Sequence, residues 1–152
     1  SAGLKLFKKG MPVEDFNKDH GLHSRTVSSL FEDSKGEIWA GTRQVLHKYT
    51  NKSFVKYQID ELGTYDRIIN ILELKDGRLL LAINNGKYFY FNGESFQKLN
   101  VPIITPLHLF QDLDGTVWLA SENEGLFIYR DGQFKSIQTP QLKNKKISRG
   151  LF

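Results

Sequence analysis

A repeat of about forty residues governs what this chain can become. Three segments, residues 27–42, 68–83 and 107–121, superimpose with almost no gaps around the turn glycines Gly36, Gly77 and Gly115, which are spaced 41 and 38 residues apart. That period is close to the roughly 40 to 50 residues of a four-stranded propeller blade. The register continues past the glycines: residues 46–49, 88–91 and 126–129 are equivalent, and Phe54, Phe96 and Phe134 follow them. Each unit holds four short segments rich in β-branched, aromatic and leucine residues, separated by glycine, asparagine and aspartate turns. Such alternation is the pattern of an antiparallel meander, and no helical periodicity competes with it. One four-stranded sheet cannot bury both its faces, whereas sheets stacked around an axis can, with Trp39, Leu80 and Trp118 as the expected wedges between neighbours. The expected fold is all-β, built of β-propeller blades.

The ends of the chain fall inside the repeat. Residues 3–7 match residues 125–129, and residues 147–152 resemble residues 27–31. The expected organisation is the end of a blade over 1–19, blades over 20–59, 60–100 and 101–139, and the first strand of a further blade over 140–152. Three whole blades with partial ones at both ends do not close a ring of the usual four to eight blades. The chain therefore reads as a piece of a longer propeller, whose remaining blades come from the same or another chain. A four-bladed ring sealed by the two ends would lack a strand.

Composition narrows the function. The 21 Lys and Arg against 17 Asp and Glu give a net charge of +4, and the absence of cysteine removes disulfide scaffolds, cysteine-based zinc clusters and thiol catalysis. No apolar run nears the roughly 18 residues of a membrane span, and the first residues lack a signal-peptide core. Nucleophile elbow, phosphate loop and paired catalytic carboxylates are all missing, so the reading is of a chain that is not an enzyme and holds no cofactor or metal. Asp112-Leu113-Asp114-Gly115 has the opening of a calcium loop, but the equivalent turns lack its acidic pair and it reads as a hairpin turn. His20 and His23 read as a solvated pair without a third metal ligand. Asn51-Lys52-Ser53 reads as a turn. The basic stretch Lys143-Asn144-Lys145-Lys146 with Arg149 reads as a solvated connection between blades, not as a nucleic-acid contact.

The order Gly-Leu, Val-x-x-Leu-Phe-Glu-Asp, a turn to Gly, Ile-Trp-x-Gly-Thr, Leu-x-x-Tyr and Phe-x-x-Tyr resembles the two-component regulator propeller repeat. Residues 21–57 carry the fullest copy, with Gly21, Leu22, Phe31, Asp33, Gly36, Trp39, Gly41, Thr42, Tyr49, Phe54 and Tyr57 in place. Residues 101–137 keep Phe110, Asp112, Gly115, Trp118, Gly125, Leu126, Tyr129 and Phe134, whereas the middle copy has Leu80 for tryptophan and Ala82-Ile83 for Gly-Thr. The resemblance implies the periplasmic sensor region of a hybrid two-component histidine kinase of Bacteroidetes type. It also implies recognition of oligosaccharides released from glycans, a homodimeric parent, and attachment to the membrane only through that parent. Two other readings stand beside it: a protein-interaction or dimerisation scaffold without a small ligand, and a propeller lyase or hydrolase.

If the sensor reading holds, the ligand belongs on the blade face where the connections between blades and the links from second to third strand converge, because loops carry function on a rigid scaffold. The candidates in the connections are His20, His23 and Arg25, then Tyr65, Asp66 and Arg67, then Thr105 and His108. Those in the second-to-third links are Arg43 and Gln44, Asn84 and Asn85, and Glu122 and Asn123. Stacking faces and planar hydrogen-bonding groups of these kinds suit sugars.

Overall fold

The computed structural model describes residues 4–16, 18–102 and 104–137. They form a two-stranded sheet and three four-stranded antiparallel sheets, with a single 3-10 turn at Lys18–His20. The hairpin is β1 (Leu4–Lys8) with β2 (Met11–Phe16). The first meander is β3 (Ser29–Glu32), β4 (Ile38–Gly41), β5 (Val45–Thr50) and β6 (Ser53–Gln58). The second is β7 (Ile68–Glu73), β8 (Leu79–Ile83), β9 (Tyr88–Phe91) and β10 (Phe96–Lys98). The third is β11 (Pro106–Gln111), β12 (Val117–Ser121), β13 (Gly125–Arg130) and β14 (Gln133–Ser136). Within each sheet every strand pairs with its sequence neighbour, so three complete propeller-type blades are present and the all-β expectation is met. The basic stretch at 143–149 and the strand expected over 140–152 lie outside the described residues.

Turn chemistry sets the register. Lys9-Gly10, Asn51-Lys52 and Asp131-Gly132 all have positive φ, from 49° to 79°, and form two-residue loops whose twist matches that of the flanking strands. They join β1 to β2, β5 to β6 and β13 to β14, so the opening hairpin is built like the outer hairpins of the blades. In the second blade the corresponding turn is held by Asn92, whose Oδ1 accepts the N–H groups of Glu94 at 2.9 Å and Ser95 at 2.8 Å.

The first-to-second hairpins carry a side-chain clip. Asp33 Oδ1 accepts the N–H groups of Lys35 at 3.0 Å and Glu37 at 2.9 Å, while its Oδ2 accepts Trp39 Nε1 at 2.9 Å. Asp112 does the same with Asp114 at 3.0 Å, Thr116 at 2.9 Å and Trp118 Nε1 at 2.8 Å. These bonds consume the carboxylate, so the acidic turn is a hairpin support, and among the described residues no group of three or more His, Asp or Glu could hold a metal ion. The clip fixes the indole ring: Trp39 is buried and Trp118 half-buried. In the middle blade both partners are exchanged, Leu74 and Leu80 standing three residues before and after Gly77 as Asp33 and Trp39 do about Gly36. The backbone turn survives, Leu74 N–H reaching Arg78 O at 2.8 Å as Asp33 N–H reaches Glu37 O at 3.0 Å.

The chain divides into two units, Ser1–Ile71 and Leu72–Phe152, with the division inside β7. In the first, Phe16, Leu22, Ala40 and Phe54 form a core against which Leu4, Val27 and Tyr49 pack. Phe16 meets Tyr49 at 5.1 Å and Phe54 at 5.5 Å between ring centroids, edge to face. Two glycines of the repeat are sterically required here. A Cβ on Gly21, whose φ is +88°, would stand 2.3 Å from Phe54 O, and one on Gly41 would stand 2.2 Å from Ser29 Oγ and 2.7 Å from Ile68 O. In the second unit Leu80, Leu81, Ala82, Ile83, Tyr88 and Phe89 are fully buried. Tyr88 Oη donates to Ile104 O at 2.8 Å, and its ring lies 4.8 Å from that of Phe134.

Candidate functional site

The loop from β4 to β5 and the connection from β6 to β7 come together in the first unit. Thr42 closes the short loop, its N–H and Oγ1 both bonding Val45 O, at 3.0 Å and 3.1 Å. Gln44 takes the left-handed conformation, φ 61°, that this tight link needs. Its side chain then serves as a staple: Nε2 donates to Leu62 O at 2.7 Å, and Gln44 O accepts Ile59 N–H at 2.9 Å. Ile59 and Leu62 are buried and anchor the connection from below. Asp66 closes its upper turn, Oδ2 accepting Gly63 N–H at 2.8 Å and its own N–H donating to Gly63 O at 2.9 Å.

These bonds bring Arg43 beside Arg67 in an isolated antiparallel bridge. Gln44 N–H donates to Asp66 O at 3.2 Å and Ile68 N–H to Thr42 O at 3.1 Å. The bonds thus run between the residues flanking the two arginines, which makes Arg43 and Arg67 a non-hydrogen-bonded pair, the kind whose side chains stand closest. Both are exposed, and Tyr65 is 79% exposed beside them. Cation and aromatic face are thus presented together on a backbone fixed by buried anchors.

The remaining sequence candidates are distributed differently. His23 and Arg25 are exposed on the connection into β3, but His20 is half-buried, its ring 5.5 Å from Phe16 and edge-on to it. The main chain of His23 is engaged structurally, its N–H donating to His47 Nε2 at 3.0 Å. Asn84 and Asn85 are half-buried in the link from β8 to β9, where Asn85 Oδ1 accepts Lys87 N–H at 3.1 Å as a turn support. Thr105 is exposed just before β11. His108, expected in that connection, lies instead within β11, paired with Ala120 beyond a register shift between Pro106 and His108. Proline lacks the N–H a regular ladder needs, and the bulge lets the strand begin at Pro106 all the same. Glu122 and Asn123 are exposed in the turn from β12 to β13.

Sequence reasoning passes over His47, which is fully buried and faces Phe54 at 6.3 Å. Burial first, then the nearby His23 and Lys56, push its pKa down to about 4. Accepting a bond at Nε2 requires the neutral ring protonated at Nδ1. The clip aspartates are displaced too. Burial raises Asp33, but the bonds from Trp39 and from the Glu37 and Lys35 N–H groups outweigh it and hold the carboxyl below its ordinary range. Asp112 is lowered mainly by Trp118. In the middle blade Arg78 pairs with Asp76 at 2.7 Å, which lowers Asp76, and lies 4.0 Å from the centre of the Tyr90 ring. Tyr90 Oη in turn hydrogen-bonds Tyr129 Oη.

The fold is shared with several solved structures. A catalytically inactive virginiamycin B lyase from Staphylococcus aureus, solved with quinupristin, aligns over 88% of this chain at TM-score 0.67 and 17% identity. The extracellular domain of a B. thetaiotaomicron protein described as a one component system aligns over 88% at TM-score 0.68 and 15% identity. That of a B. thetaiotaomicron protein described as a hybrid two component system aligns over 98% at TM-score 0.63 and 22% identity. This chain spans 47% of the lyase and 19% and 20% of the two extracellular domains. No curated protein sequence matches it. Gly21, Leu22, Trp39, Gly41 and Thr42, whose packing and bonding are described above, fall within residues 21–44, the stretch matched by the family model for the two component regulator propeller, so that stretch is similar to the family's repeat.

Proposed function

We propose that this chain is a sensor segment of a two-component signalling protein, located outside the cytoplasmic membrane, and that its blades recognise an oligosaccharide derived from a glycan. The signal passes to a histidine kinase in another part of the parent protein. The observation that carries the reading is the exposed group Arg43, Tyr65 and Arg67 on connections pinned by Gln44, Ile59, Leu62 and Asp66. Preorganised loops of this kind save ordering entropy on binding, and Tyr and Arg supply the stacking face and the planar donors that sugars take. Support for the signalling context comes from the family match at residues 21–44 and from neighbours that are extracellular domains of one component and hybrid two component systems.

The reading is of a non-catalytic segment. Asp33, His47, Asp76 and Asp112, whose titration is displaced, each hold a turn or a strand contact, and Tyr88, raised by burial, donates to Ile104 O. Titration calorimetry of the protein against a library of plant and host oligosaccharides is the test. Saturable heat with at least one sugar and no turnover of it supports sensing. Absence of heat with every sugar, together with a stable dimer in light scattering, would favour an interaction scaffold instead, and turnover would favour an enzyme.

A further inference from the structure

The geometry points to an anionic ligand: we propose that Arg43 and Arg67 form a subsite for a carboxylate or sulfate group of an acidic oligosaccharide, with Tyr65 as the adjoining stacking face. This rests on the sensing role proposed above and names the class of sugar.

Three observations lead there. First, the two arginines are directly opposite one another in a non-hydrogen-bonded antiparallel pair, where side chains are closest and like charges repel. An anion set between two guanidinium groups takes charge-assisted contacts from both, and arginine's planar fork suits a carboxylate or sulfate. Second, the architecture does not ask for arginine at either place. Arg43 stands seven residues after its turn glycine, as Asn84 and Glu122 do after theirs, and Arg67 stands ten before Gly77, as Thr105 does before Gly115. The blade therefore forms without arginine at these positions. Third, the backbone beneath is rigid. Gln44 Nε2 to Leu62 O, Ile59 N–H to Gln44 O and Gly63 N–H to Asp66 Oδ2 fix both loops, so the backbone positions that bear the two arginines are held opposite one another.

The neighbouring carboxylates fit this arrangement. Asp66, the nearest in sequence, is half-buried and accepts Gly63 N–H. Asp60 and Glu61 are exposed earlier in the connection, ahead of the buried Leu62.

Calorimetry with the whole chain tests the assignment, using digalacturonate, a sulfated galactobiose and unmodified galactobiose as probes. The expected result is binding of one or both acidic sugars at least roughly tenfold tighter than the neutral one, weakening as salt is raised. Digalacturonate and the sulfated sugar separate carboxylate from sulfate as the preferred group. Arg43→Gln and Arg67→Gln should each reduce that affinity roughly tenfold while leaving the thermal midpoint within a few degrees of the parent's. Should either glutamine variant lose its cooperative melt, Arg43→Lys and Arg67→Lys replace it, with an intermediate loss expected as charge stays and the bidentate fork goes. Neutral sugar bound as well as acidic, or acidic binding untouched by the substitutions, overturns the charge assignment and leaves sugar sensing standing. No binding of any probe or of any library sugar overturns both.

Discussion

At the scale of single residues, much of the repeat's signature is explained by geometry. Gly21 and Gly41 stand where a Cβ would meet backbone or hydroxyl oxygen well inside contact distance, and Leu22 and Thr42 are buried beside them. His47, outside that signature, is also fully buried, and its titration gives a prediction. Its folded pKa is about 4 against an ordinary value of 6.5, so the unfolded chain takes up a proton over a range where the folded chain does not. The stability that neutral His47 contributes is complete above about pH 6.5 and is lost as pH falls toward 4. Denaturant unfolding at pH 7.5 and 4.5 should differ by about 2 to 3 kcal/mol from this group alone. His47→Gln should be less stable at pH 7.5 and show a smaller difference between the two. Equal pH dependence in both proteins would contradict the assignment. The clip aspartates act elsewhere on the scale: their lowered pKa values place their loss below about 3.8, so the two effects separate.

At the scale of the blade, the hairpin clip is a paired device. Asp33 and Trp39 are both present in the first blade, Asp112 and Trp118 in the third, and the second has leucine at both places. An aspartate there would find backbone N–H groups but no indole to receive, and a tryptophan there would have no carboxylate for its N–H, so neither change alone restores the clip. The middle blade instead stacks Arg78 on Tyr90, which lies opposite Leu80, and joins Tyr90 to Tyr129. In the first blade, a double-mutant cycle of Asp33→Ala and Trp39→Phe measures the clip. Asp33→Ala should cost about 1 to 2 kcal/mol, and less when Trp39 is already phenylalanine, leaving a coupling of about 1 kcal/mol. Strict additivity would mean that the two side chains act independently.

The same scale decides what can be read beforehand. The three meanders are legible because turn glycines and strand alternation are local signals, repeated in register. His108 is expected in the connection although it stands at the start of the 107–121 repeat segment, and the structure places it in β11, past the register shift after Pro106. The pairing of Arg43 with Arg67 is half legible. Topology says that such loops converge, but only the bonds from Gln44 and Asp66 say which residues stand opposite. Gln44 is expected as a ligand contact, and in the structure its Nε2 donates to Leu62 O. His47 gives no signal, since burial of a lone histidine on a strand depends on packing that a single sequence does not encode.

At the scale of the molecule, turns and strands take up most of the aromatic and glycine residues that first stand out in the composition, and solvent meets both the loops and strand residues such as Leu30, Val55 and Phe110. In the proposed sensor, blades supply rigidity and the loops bearing Arg43, Tyr65 and Arg67 supply recognition. Amide chemical-shift mapping of the labelled chain during titration with the tightest-binding oligosaccharide tests this division most directly. Saturable shifts should centre on residues 43–44 and 63–67, with the clip turns at 33–39 and 112–118 unchanged. Shifts centred on the clip turns, or none at saturating sugar, would contradict it.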